Sequence, residues 1–113
     1  MDFLTRMEEW LLLTVWKLQH DNDQAYGLAI RNALSETLGR DVSVGATYVP
    51  LERLRKRGFL ESRDSRPTDK RGGRSTRYYR LSSKGVTALN AVKTVHDRAW
   101  NSLPDINLGL KPG

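Results

Sequence analysis

Leu4, Met7, Leu11, Val15 and Leu18 recur at steps of three and four, which predicts a helix over residues 4–19. Trp10, Leu12, Leu13 and Trp16 spread its apolar surface beyond one stripe. A helix apolar on more than one side is covered on more than one side, so in a small protein part of that surface is available to a second chain. The polar run His20 to Gln24 breaks the pattern and predicts a loop. Tyr26, Ile30, Ala33, Leu34 and Leu38 share one face of a second helix, residues 25–38, with Gly39 where a left-handed cap belongs. Arg40 to Ser43 is a short link, and Ser43 is placed to cap a third helix over residues 44–57. The period puts Val44, Tyr48, Leu51 and Leu54 on its inner face, and Ala46, Val49, Pro50, Arg53, Lys56 and Arg57 on its outer face. Pro50 removes one backbone bond and distorts the first turn without ending the helix.

Beyond Gly58 the pattern changes. Residues 59–64 and 77–81 predict two strands, the second rich in aromatic residues of high β propensity. Tyr78 and Tyr79 alternate faces, one toward the core. The segment between the strands is polar and basic around Gly72-Gly73, the mark of a hairpin with a long tip. Ser82 or Ser83 starts a last helix that runs to about Ser102, where Ala88, Val92, Val95 and Ala99 form a small-residue seam stepped by four, three and four, flanked by Leu89 and Leu103. Pro104 stops it. The order helix, helix, helix, hairpin, helix is mainly α with a small β-hairpin: a winged helix-turn-helix over residues 1–81, a dimerisation helix over 82–103, and a flexible tail over 104–113.

Composition narrows the classes. The chain has 113 residues, 38% hydrophobic and 28% charged, the mix of one folded domain. It has no cysteine, which excludes disulfides and thiolate metal sites. No apolar run approaches the ~18 residues of a membrane span, and Met1 to Thr5 lacks the basic start of a signal peptide, so the expectation is a cytoplasmic protein with no membrane partner. Its two histidines, His20 and His96, stand apart from any triad spacing, and Glu8-Glu9 reads as a solvated helix edge. There is no phosphate loop and no metal-ligand spacing, so neither an enzyme, a metal site nor a cofactor is expected.

Charge points to a partner. The net charge is +6, and the segment from Arg53 to Lys84 holds twelve Lys/Arg against three acids. That concentration calls for a polyanion. A helix with an apolar inner face and a basic, small-residue outer face fits the major groove of double-stranded DNA, about 12 Å wide. Ser43, Gly45, Ala46, Thr47 and Tyr48 are its candidate groove residues, with Tyr48 open between core and phosphate contact. Arg53, Lys56 and Arg57 lie where phosphates are met. Lys70, Arg71, Gly72, Gly73, Arg74 and Arg77 form a cationic hairpin able to follow the backbone or enter the minor groove. Gly27 and Gly58 are expected in packing and capping roles.

Four stretches resemble the PadR family of transcriptional regulators in its compact form. Ala25-Tyr26-Gly27-Leu28-Ala29-Ile30 is similar to the opening of that family's second helix. Ser43 to Tyr48, leading into Leu51-Glu52-Arg53-Leu54 and Gly58, is similar to its recognition helix. Arg71-Gly72-Gly73-Arg74 is similar to its wing, and Tyr78-Tyr79-Arg80-Leu81-Ser82 with Gly85 to its strand-to-helix joint. Pro50 departs from the family pattern, where proline falls one position earlier or is absent. The resemblance implies a winged-helix homodimer that binds a pseudo-palindromic operator, usually as a repressor. It also implies dimerisation through the first and last helices, and in some relatives a response to small aromatic effectors near that interface. Candidate dimer residues are Leu4, Trp10, Leu11, Ala88, Val92, Val95, Ala99 and Leu103. Trp10, Trp16, His96 and Trp100 are candidates for an aromatic ligand pocket, with ordinary interface packing as the alternative. A protein-binding module that has lost its DNA role is the second class, and an RNA binder the third.

Overall fold

The computed structural model describes residues 4–65 and 76–104. Helix α1 spans Arg6–His20. It starts at a capping box: the Glu8 N–H donates to Thr5 Oγ1 at 3.1 Å, and the Thr5 N–H donates to Glu8 Oε1 at 2.8 Å. Glu8 is therefore buried rather than a solvated edge as expected from sequence. Asn22 and Asp23 take left-handed backbone angles just beyond the helix, a conformation that short polar side chains tolerate.

The predicted second helix loses its first two residues to the sheet. The Tyr79 N–H donates to the Ala25 carbonyl at 2.7 Å, and Tyr26 bridges Tyr78, so the chain is extended there. Helix α2 then spans Gly27–Leu38 and ends at Gly39, whose φ of 69° lets the Gly39 and Arg40 N–H groups reach back to Glu36 and Ser35. The link to the next helix is held by α2 itself. Ser35 Oγ accepts from the Val42 N–H at 2.9 Å, and Arg31 Nε donates to the Val42 carbonyl at 2.7 Å.

Helix α3 spans Val44–Lys56, with Ser43 Oγ accepting the Ala46 N–H at its start. Pro50 sits inside it without ending it. The stripe facing the core is Thr47, Leu51 and Leu54, all fully buried, whereas Val44 and Tyr48 are exposed. This corrects both the inner face read from the period and the placing of Thr47 among DNA contacts. Thr47 is buried at little cost because its hydroxyl donates to the Ser43 carbonyl at 3.0 Å.

Gly58, with φ of 87°, turns the chain into strand β1, Leu60–Asp64, which pairs antiparallel with β2, Arg77–Leu81. The register sets Leu60 opposite Leu81 and Asp64 opposite Arg77. Tyr79 is buried and Tyr78 half-buried, as the alternation predicts. Helix α4 spans Ser83–Asn101, capped by Ser82. A Cβ on Gly85 would collide with the Phe59 carbonyl oxygen, so glycine is what lets α4 seat against the β1 entry. The core joins Leu11, Leu12, Val15, Ile30, Leu34, Leu51, Leu54 and Phe59, with Val86, Ala88 and Leu89 of α4 packed on its edge. Leu11 is fully buried within this one chain, which removes it from the candidate dimer residues.

Candidate nucleic-acid interface

Cap, proline and core stripe together fix which way α3 faces. Gly45, Ala46, Tyr48, Val49, Arg53 and Lys56 are exposed along its outer side. Tyr48 lies over the start of α2: a Cβ on Gly27 would come 2.6 Å from its ring. That close approach gives Gly27 its packing role and holds the phenol at the edge of the exposed face. The side chains of Arg53 and Lys56 make no hydrogen bond or ion pair with any other described residue.

Other cations are tied to the molecule's own acids. Arg57 donates to Glu8 Oε2 at 2.6 Å and lies over the Phe59 ring. Arg77 donates to Asp64 at 3.1 Å and to Glu52 Oε1 at 3.2 Å. Arg63 pairs with Asp23 and covers Tyr78. Arg57 and Arg77, both expected on DNA, are thus held by internal partners, because the folded chain brings Glu8, Glu52 and Asp64 within reach of them. Lys70, Arg71, Gly72, Gly73 and Arg74 lie outside the described residues, as does the tail from residue 105.

Glu52 is the residue that sequence reasoning missed. Its carboxylate accepts from Arg55 Nε, from Arg77 and from the Tyr79 hydroxyl, the last at 2.7 Å, and so ties α3 to β2. Burial pushes the Glu52 carboxyl up, but the hydrogen bonds from Arg55, Tyr79 and Arg77 outweigh burial and hold it down at about 2. Burial, then the bond to Glu52, pushes the Tyr79 phenol up, so it stays a neutral donor. The one local signal was Arg55 three residues on; Tyr79 is too distant in sequence to infer.

The candidate dimer residues divide. Leu4, Trp10 and Ala88 are half-buried against the chain's own core, Val92 is half-buried, and Val95, Ala99 and Leu103 are exposed. A cleft of about 420 Å³ runs between α1 and α4, lined in part by Leu13, Trp16, Leu89, Val92 and His96. Trp10 and Trp100 do not line it: Trp10 packs on the core, and Trp100 is exposed, its ring 5.8 Å from His96. Among the described residues no cluster of His, Cys, Asp and Glu could hold a metal ion, and no helix is long and apolar enough to cross a membrane.

Solved structures share this fold. A PadR-like transcription factor from Bacteroides fragilis is similar at 23% identity and a TM-score of 0.69, covering 85% of this chain and 84% of its own. RosR from H. salinarum is similar at 25% identity and a TM-score of 0.61, covering 92% and 82%. A PadR family transcription regulator from Clostridium difficile R20291 is similar at 22% identity and a TM-score of 0.62, covering 83% and 92%. No curated protein matches the chain. The model of the transcriptional regulator PadR-like family matches residues 17–91, which take in α2, α3, both strands and the start of α4. The chain therefore belongs to the PadR-like family of transcriptional regulators, a winged helix-turn-helix family that binds DNA, and is not an enzyme.

Proposed function

We propose that the chain is a homodimeric, sequence-specific repressor that binds a pseudo-palindromic operator. One observation carries the reading. The outer side of α3 presents small and apolar residues in its first two turns and two cations without internal partners, Arg53 and Lys56, in its third and fourth. A helix so arranged meets bases first and phosphates next. The wing tip, Lys70 to Arg74, adds backbone or minor-groove contacts in this reading.

The dimer is supported by apolar surface that the single chain leaves exposed. Leu13, Trp16, Val95, Trp100 and Leu103 are each between 40% and 55% exposed, on α1, on α4 and just beyond it. Closing two such faces together would hold the α3 helices about one DNA turn apart, roughly 34 Å. The same closure would roof the cleft at Trp16 and His96, where a planar aromatic effector fits the lining.

Footprinting on the chain's own and the adjacent promoter tests the operator, and light scattering tests the dimer. The expected results are a two-fold symmetric protected site and twice the chain mass at micromolar concentration. A monomer, or protection without symmetry, would overturn the dimeric reading. Quenching of tryptophan fluorescence by an aromatic ligand panel tests the effector, and no change across the panel argues for plain packing.

A further inference from the structure

Val44 and Val49 are 54% and 58% exposed, the two most exposed large apolar side chains on α3. β-branched residues are indifferent helix formers, and Pro50 beside them costs a backbone bond, so helix stability does not account for them. Nor does the core, which takes Thr47, Leu51 and Leu54 instead. Equally telling is what the first two turns lack. From Ser43 to Val49 there is no Arg, Lys, Asn, Gln, Asp or Glu. Ser43 Oγ accepts the Ala46 N–H and keeps only its own O–H to offer, and the Thr47 hydroxyl is buried against the Ser43 carbonyl. The Tyr48 phenol and the Ser43 O–H are the side-chain donors left, each good for a single-point contact. The two-point hydrogen bonds that identify guanine or adenine in the major groove cannot be made from this stretch. Thymine's C5 methyl is the major-groove feature that apolar side chains read, and Val44, Ala46 and Val49 are the apolar side chains exposed here.

We infer that α3 reads its operator by burying thymine methyl groups against Val44, Ala46 and Val49, with Arg53 and Lys56 held on the flanking phosphates. Arg53 lies four residues past Val49, about 6 Å further along the axis, which is where the groove wall replaces the base edges. This rests on the operator-binding reading above. Its specificity is steric and apolar, so discrimination between thymine and the other bases follows from shape and methyl burial.

The test begins with selection of binding sites from a random duplex library by the full-length protein. Each thymine of the selected site is then replaced in turn by deoxyuridine, which removes the methyl and leaves every hydrogen-bonding group. Two or more positions per half-site should each lose affinity about three- to fivefold, the worth of one buried methyl, with the salt dependence unchanged. In Val49→Ala, a change at an exposed site that leaves folding intact, at least one of those losses should vanish. If specific binding survives every deoxyuridine substitution, or depends instead on guanine N7 as tested with 7-deazaguanine, thymine readout is wrong while the operator reading stands. If the deoxyuridine losses persist unchanged in both Val44→Ala and Val49→Ala, other residues read the methyls and the assignment to these valines fails. If no site is enriched at all, the operator reading fails with it.

Discussion

The outer side of α3 and the base of the hairpin are neighbours, both rich in cations, and they use charge in opposite ways. At the hairpin base Arg77 is shared between Asp64 and Glu52, while Arg55 and the Tyr79 hydroxyl converge on the same Glu52 carboxylate. On the outer side of α3, Arg53 and Lys56 have no acid to answer to among the described residues. A count of positive residues along the chain cannot separate these roles. A cation already holding a carboxylate gives little net field to a phosphate, whereas an unpaired one releases counterions when DNA arrives. The hairpin base is built to set the angle between wing and recognition helix, and the α3 surface to use that angle.

The largest test of this contrast compares Arg53→Ala/Lys56→Ala with Arg77→Ala. The α3 double variant should lose about 30- to 100-fold in DNA affinity at moderate salt and should flatten the log–log salt slope by about 0.9 for each phosphate contact removed. Its urea midpoint should stay close to that of the parent, because neither side chain has a partner to leave behind. Arg77→Ala should do the reverse, lowering the urea midpoint with at most a few-fold change in affinity. Titration by fluorescence anisotropy beside urea unfolding reads both quantities. Equal losses of affinity in the two variants would erase the distinction between the regions.

A smaller effect sharpens it. Glu52→Gln keeps the shape of the hub and removes its charge. Stability should fall by about 1 kcal/mol, since a part-buried set of charge-assisted bonds becomes neutral on one side. Non-specific DNA affinity should rise a few-fold, because Arg55 and Arg77 are less neutralised once one negative charge leaves the face. A fall in non-specific affinity would mean that Glu52 acts on DNA only by holding the wing, and the electrostatic half of the contrast would go.

Much of this architecture was legible in the chain. Ser43, Gly39, Gly58 and Ser82 mark the ends of elements through rules that act within a few residues, and those ends came out close to where they fall. What escaped depended on distant partners. Tyr26 keeps the helical period, yet Tyr78 draws it into an extended bridge. Tyr48 and Val44 outrank Thr47 in hydrophobicity, but a threonine that bonds back to the residue four before it can be buried, and the stripe turns by one position. Leu11 stood out as apolar without showing whether its own core or a second chain would cover it. Glu52 looked like a stray acid among arginines because Tyr79 and Arg77, its partners, are 27 and 25 residues away.

The finest test is the dependence of stability on pH, where the hub has a distinct signature. The Glu52 carboxyl falls from an ordinary 4.5 to about 2 in the folded chain. A depressed carboxyl contributes its full stabilisation above the unfolded value and loses it as pH falls through the folded value. The contribution should therefore be constant from neutral pH down to about 4.5 and drain away between there and about 2. Every other carboxylate also titrates in that range, so the absolute curve is uninformative. The difference between the parent and Glu52→Gln cancels the rest. That difference, from urea midpoints, should be flat above 4.5 and shrink steadily below it. A difference that stays constant into strong acid would show that Glu52 holds the wing through the shape of its bonds rather than through its charge, and the hairpin base would then differ from the α3 surface in geometry alone.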